Sequence, residues 1–152
     1  MSSDDSSILT ISDILNSEIK KLENQIDMAL QNSSKLDISQ IIPIYHHVLN
    51  ISSMESVLKQ FFKDIEPDDK SKNILNNSEK LISEKFNSVL HPKFMSHLSD
   101  LIFNSVSELK AQKNSQKTET EIKNDATMYD KLRKLMSTKE FVEQYDKGLI
   151  HD

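Results

Sequence analysis

The chain has 152 residues, 36% of them hydrophobic and 28% charged, with a formal net charge of -5, one glycine, three prolines and no cysteine. So little glycine argues against the hairpins and bulges of a sheet protein. The lack of cysteine excludes disulfides, thiolate zinc sites and a cysteine nucleophile, and the acidic balance disfavours general binding to nucleic acid. No apolar run is long enough to span a bilayer, and the opening MSSDDSS has neither the basic nor the apolar region of a signal peptide, so no membrane insertion is expected. The expected location is cytoplasmic, with cytoskeletal and nuclear locations as its variants. These features predict an all-α protein, an elongated antiparallel helical bundle or coiled coil with four to five helices. A disordered acidic tail is expected over residues 1–7, and a single helical unit over 8–152.

The first helix is expected to begin near Ile8 or Ser12, with Ser7 or Ser12 as its cap and Asp13 favourably placed in the first turn, and to run to about Gln31. Within it, Leu15, Ile19, Leu22, Ile26 and Ala29 follow one another at steps of 4, 3, 4 and 3, the a/d spacing of a coiled-coil seam. Ile8 and Ile11 precede that seam with a stutter. Asn32, Ser33 and Ser34 break the pattern. A second helix runs from Asp37 or Ile41 to about Asp64, with Asp37 as a cap and Pro43 tolerated in the first turn. It carries the broadest apolar face of the chain: Ile41, Ile44, Val48, Ile51, Leu58, Phe62 and Ile65, widened by Tyr45, Leu49, Met54, Val57 and Phe61. Glu66-Pro67-Asp68-Asp69 forms an acidic turn that caps a third helix over about 70–90.

His91-Pro92 is read as a restart, with Pro92 at the first position of a fourth helix carrying Phe94, Met95, Leu98, Leu101, Ile102, Val106 and Leu109. The polar stretch from Lys110 to Asn124 is either a solvated continuation of that helix or a loop. The apolar pattern returns at Met128, Leu132 and Leu135. Ser137-Thr138-Lys139-Glu140 has the form of a capping box that opens a last short helix with Phe141, Val142 and Tyr145. Gly148 stands where a left-handed stop is expected.

Reactive constellations are sparse. His46 and His47 are adjacent and point about 100° apart on a helix, whereas helical metal ligands stand three or four apart. His91, His97 and Asp100 lack a nucleophile and an oxyanion cradle. Glu66, Asp68 and Asp69 lack the alternating frame, glycine and distal glutamate of a calcium loop. No phosphate-binding or hydrolase motif is present. The expectation is therefore a noncatalytic chain without cofactor, metal or small-molecule ligand. Its function would be association with other helical subunits through Leu15, Ile19, Leu22, Ile26, Ala29, Leu132 and Leu135. A self-contained bundle whose seams satisfy one another, serving as a free-standing adaptor or assembly chaperone, is the alternative. Kinetochore and vesicle-tethering subunits are variants of the first reading.

The opening Leu15, Ile19, Leu22-Glu23 and Ile26, and the closing Tyr129-Asp130-Lys131, Leu135-Met136-Ser137, Phe141-Val142 and Asp146 to Leu149, resemble the family of the small shoulder subunit of dynactin. The resemblance lies at the two ends; residues 36–110 align only in hydrophobic character. It implies a nonenzymatic helical subunit packed with dynamitin and with the C-terminal part of the largest dynactin subunit, supporting dynein-driven transport. The seam residues named above would then be the contacts.

Overall fold

In the computed structural model, residues 3–32, 37–112 and 119–148 are described, with side chains over 11–32, 37–111 and 126–148. They form α1 (Ser3–Gln31), a 3-10 turn (Ile38–Gln40), α2 (Ile41–Phe61), α3 (Asp69–Lys80), a π-helical segment (Leu81–Leu90), α4 (His91–Gln112) and α5 (Glu119–Asp146). The chain is an all-α helical bundle, as its glycine-poor composition predicts. The backbone is helical from Ser3, over residues where a tail is expected; residues 1 and 2 lie outside the described residues.

The third and fourth expected helices are one continuous rod. Lys80, Leu81 and His91 all have right-handed helical backbone, so the path from Asp69 to Gln112 has no restart at His91-Pro92. The expected break fails for a legible reason. Pro92 has no N–H and its ring crowds the carbonyl of the preceding turn. The ten residues before it adopt wider π turns, in which the His91 N–H donates to the Phe86 carbonyl and the Ser88 hydroxyl donates to the Ser83 carbonyl at 2.7 Å. The apolar residues Ile82, Phe86, Leu90, Phe94 and Leu98 recur every four positions, and all five are buried. In an α-helix, steps of four drift by about 40° each and would carry Leu98 to the far side of the rod from Ile82. At about 4.4 residues per π turn the drift reverses, and the stripe stays on one face.

Around this rod the bundle assembles in register. α1 runs parallel to it: Ser12 meets Ser71 at 3.2 Å, Asp13 pairs with Lys70 at 2.9 Å, and Lys85 reaches Glu23 and Asp27. Ser12, expected as a cap, is instead a buried mid-helix residue. α2 is antiparallel to both, with Tyr45 beside Phe86 and His91, and Lys59 paired with Glu79. Asp37 caps the 3-10 turn by accepting from the Ser39 N–H at 3.0 Å. Asp68 occupies the N-cap position of α3 but makes no side-chain cap bond.

α5 returns antiparallel to α4, and no new helix begins at Ser137. The Thr138 hydroxyl donates back to the Lys134 carbonyl at 2.8 Å within an unbroken helix. No glycine or proline lies between Pro92 and Gly148 to interrupt it. Gly148, with φ +71°, supplies the left-handed stop, and its N–H donates to the Tyr145 carbonyl at 3.0 Å. Of the stretch from Lys110 to Asn124, α4 continues to Gln112 and α5 starts at Glu119; residues 113–118 lie outside the described residues.

One buried charge was not anticipated from the apolar pattern. Glu55 lies on the core face of α2 and accepts a short hydrogen bond from the Ser78 hydroxyl. Burial pushes its carboxyl above the usual range, opposed by the Ser78 bond. A raised folded-state value means that the stabilising protonated form is complete below the unfolded value of about 4.3, and its contribution is lost as pH rises through the folded value. Glu55→Gln keeps the acceptor for Ser78 and removes the charge. It is expected to stabilise the chain at pH 7 by about 1 kcal/mol, a gain that disappears towards pH 4. Thermal melts of both proteins across that range check it.

Candidate interaction surface

The seam expected to face a partner is filled by the chain itself. Leu15, Ile19, Leu22, Ile26 and Ala29 are 0 to 8% exposed, packed in one core with Ile41, Ile44, Val48 and Ile51 of α2 and with the rod. Leu135 is fully buried against the same core and Leu132 is half-buried on α5. A narrow apolar stripe needs only two neighbouring helices to cover it, and α2 and the rod are those neighbours. Most of the broad face of α2 is consumed in the same way, touching α1, the rod and the end of α5; Phe62 is half-buried, Val57 stands exposed on the outer side, and Ile65 is exposed beyond the helix end.

The histidines divide between packing and pairing. His46 is exposed with its ring 5.5 Å from Phe141. The half-buried His47 clasps α1 to α2, with Nε2 2.6 Å from Glu18 Oε2 and Nδ1 2.6 Å from Gln25 Oε1. Burial works against the Glu18 carboxylate, but the bonds from His47 and Lys21 outweigh it and hold the group below its usual range. His91 is buried at the end of the π segment. Its Nδ1 lies 2.6 Å from the Tyr45 hydroxyl and its Nε2 3.3 Å from Asp146 Oδ1. A neutral ring with Nε2–H satisfies both: Tyr45 donates to Nδ1, and Nε2–H donates to Asp146.

Tyr45 is the hub of an aromatic layer in which Phe86 and Tyr145 stand edge-on at 5.0 Å, with Phe94 and Phe141 at 6.0 Å. Tyr145 closes the layer by donating to Asn87 Oδ1 at 2.8 Å. Burial pushes the Tyr45 phenol far above its usual range and, with the Asp146 charge, raises that of Tyr145 to about 12. Both phenols are protonated near neutral pH. The cluster ties three elements together. The pairing of His91 with Tyr45 and Asp146 is not legible in the sequence, since those partners are 46 and 55 positions away. Among the described residues no group of three or more acidic or histidine side chains is placed to hold a metal ion, and no helix is long and apolar enough to cross a membrane.

Exposed apolar side chains are scattered singly on the outer sides of the bundle, at Ile14, Met28, Val57, Ile65 and Val89, and occur together on the arm formed by the outer part of α4 and the facing part of α5. α1 and α2 accompany the rod only to the neighbourhood of Phe94. Beyond it, α4 and α5 have mainly each other. On this arm Ile102, Val106, Met128 and Leu132 are half-buried, and Phe103, Met136 and Tyr129 are 71%, 55% and 42% exposed. A shallow groove of about 540 Å³ runs between Ile102 and the outer face of α5, lined by Arg133, Met136, Glu140 and Glu143. The fold thus defines an all-α helical bundle with one two-helix arm. No protein-family model, curated protein or solved structure matches the chain.

Two consequences are measurable by urea unfolding. Leu22→Ala is expected to cost about 2–5 kcal/mol, because it empties a closed core, whereas Phe103→Ala stays within about 0.5 kcal/mol. Tyr45→Phe leaves the His91 ring without its donor, and is expected to cost about 1–3 kcal/mol.

Proposed function

We propose that this chain is a noncatalytic helical subunit that assembles with other helical protein through its α4–α5 arm. The observation that supports this reading is the contrast between the two ends of the molecule. The Leu15–Ala29 seam and the inner face of α2 are covered from within, with Ile14, Met28, Val57 and Ile65 exposed singly outside them, while the arm, where only two helices pack, carries Phe103, Tyr129 and Met136 in water beside half-buried Ile102 and Leu132. A hairpin of two helices buries only one side of each apolar stripe, and further helices complete it. In this reading the contact moves from the Leu15–Ala29 seam to the arm. Leu132 and Leu135 belong to the arm's own helix.

The resemblance to the small shoulder subunit of dynactin gives the proposal its specific form. There the chain would be a structural subunit beside dynamitin and the largest dynactin subunit, in the cytoplasm and on the cytoskeleton. The closed core of α1, α2 and the rod favours a second reading, a free-standing adaptor that folds without its client.

Affinity purification of the tagged full chain separates these. Proteins recovered at fixed stoichiometry with the wild type, and lost with Phe103→Asp/Met136→Asp at unchanged thermal stability, are the expected result. Recovery of dynamitin selects the dynactin form. Partners retained by the arm variant but lost on replacing exposed residues of α1 or α2 would overturn the arm as the contact.

A further inference from the structure

The outer face of α5, with Lys147 just past its end, carries a second heptad pattern that the core does not use. Tyr129, Arg133, Met136, Glu140, Glu143 and Lys147 follow one another at steps of 4, 3, 4, 3 and 4, the same spacing as the closed seam of α1. They point away from Leu135, Thr138 and Val142, which face the core, and none of the six is buried. This order of residues is complementary to its own reversal. About a two-fold axis crossing α5 at the level of Thr138, Arg133 and Glu143 are equally distant, as are Met136 and Glu140, and Tyr129 and Lys147. We propose that this seam docks antiparallel on the same seam of a second copy. Arg133 of each copy then faces Glu143 of the other, Met136 lies along the Glu140 methylenes near the axis, and Lys147 meets the Tyr129 ring.

The proposal rests on reading the arm as the assembly surface, and it names the partner there. Three physical points carry it. A two-fold contact between identical surfaces needs self-complementary charge, and an antiparallel helix pair supplies it when opposite charges are symmetric about one point along the helix. Here the inner charged pair is opposite in sign, at about 7.5 Å either side of the axis, and the outer pair is a cation on an aromatic ring. The groove between α5 and Ile102 gives each copy an apolar recess beside Met136. Finally, the side chains that would change partner are held only by exposed pairs within the helix, Arg133 with Asp130 at 3.2 Å and Lys139 with Glu143 at 3.7 Å, which are weak in water and exchange readily.

Sedimentation equilibrium of the purified full chain, from about 1 to 100 µM, tests this. The wild type is expected to dimerise within that range, and Met136→Glu to weaken the dimer about 100-fold with the melting temperature of the monomer unchanged. Arg133→Glu and Glu143→Arg should each weaken it about 10-fold. The double exchange should return it to within about threefold of the wild type, since only pairing between copies makes the two changes compensate. A wild type that is monomeric throughout, or a dimer indifferent to Met136→Glu, or two charge reversals that add without compensation, each overturns the proposal. If Met136→Glu still strips other proteins from the affinity-purified chain while the wild type stays monomeric, the arm remains the assembly surface and only the second copy is discarded.

Discussion

A proline in the middle of a helix ordinarily ends it, and here the bundle depends on its not doing so. The rod from Asp69 to Gln112 passes through Pro92 because the preceding residues widen into π turns. That widening does more than make room for a ring. It holds Ile82, Phe86, Leu90, Phe94 and Leu98 on one line, and it turns His91 inward, onto the Tyr45 hydroxyl. Without it the rod would present its apolar stripe to α1 and α2 at one end and to solvent at the other.

The layer around Tyr45 is the junction of the molecule. α2, the π segment, the start of α4 and the end of α5 all contribute a ring to it, and its polar atoms are satisfied within the chain. Buried hydroxyl and imidazole groups are tolerated in an apolar core only when each finds a partner, and such partners fix orientation as well as energy. Tyr145 in this layer, with buried Leu135, Thr138 and Val142, sets which face of α5 meets the bundle. That choice leaves the opposite face, with Arg133, Met136 and Glu143, in water. The arm and the junction are two consequences of one arrangement. The rod is longer than the helices that accompany it, so its surplus is covered by α5 alone.

This arrangement also explains why the Leu15–Ala29 seam is closed within the chain. A stripe at a/d spacing demands helical neighbours but carries no label saying whose they are. In α1 the neighbours are intramolecular, since α2 and the rod return along it within the same chain at high effective concentration. On α5 the inner face is used up and an outer stripe of the same period remains.

Helix content, the end of α1 at Gln31, the apolar face of α2, the stop at Gly148 and the apolar membership of the core were legible in the sequence, because 3.6-residue periodicity and turn residues act locally. The run of apolar residues at every fourth position through Pro92 was also there to be read, as the mark of a π segment. The restart expected at His91-Pro92 rested instead on the proline, which suits the first position of a helix. What only the tertiary structure decided was pairing over distance: Tyr45 with His91, Glu55 with Ser78, Ser12 with Ser71, and which of two heptad stripes is closed. The sequence determines that the apolar stripe of α1 must be covered, through the cost of leaving apolar side chains in water. Which helix covers it depends on the relative lengths and crossing of elements far apart in the chain, which no local pattern encodes.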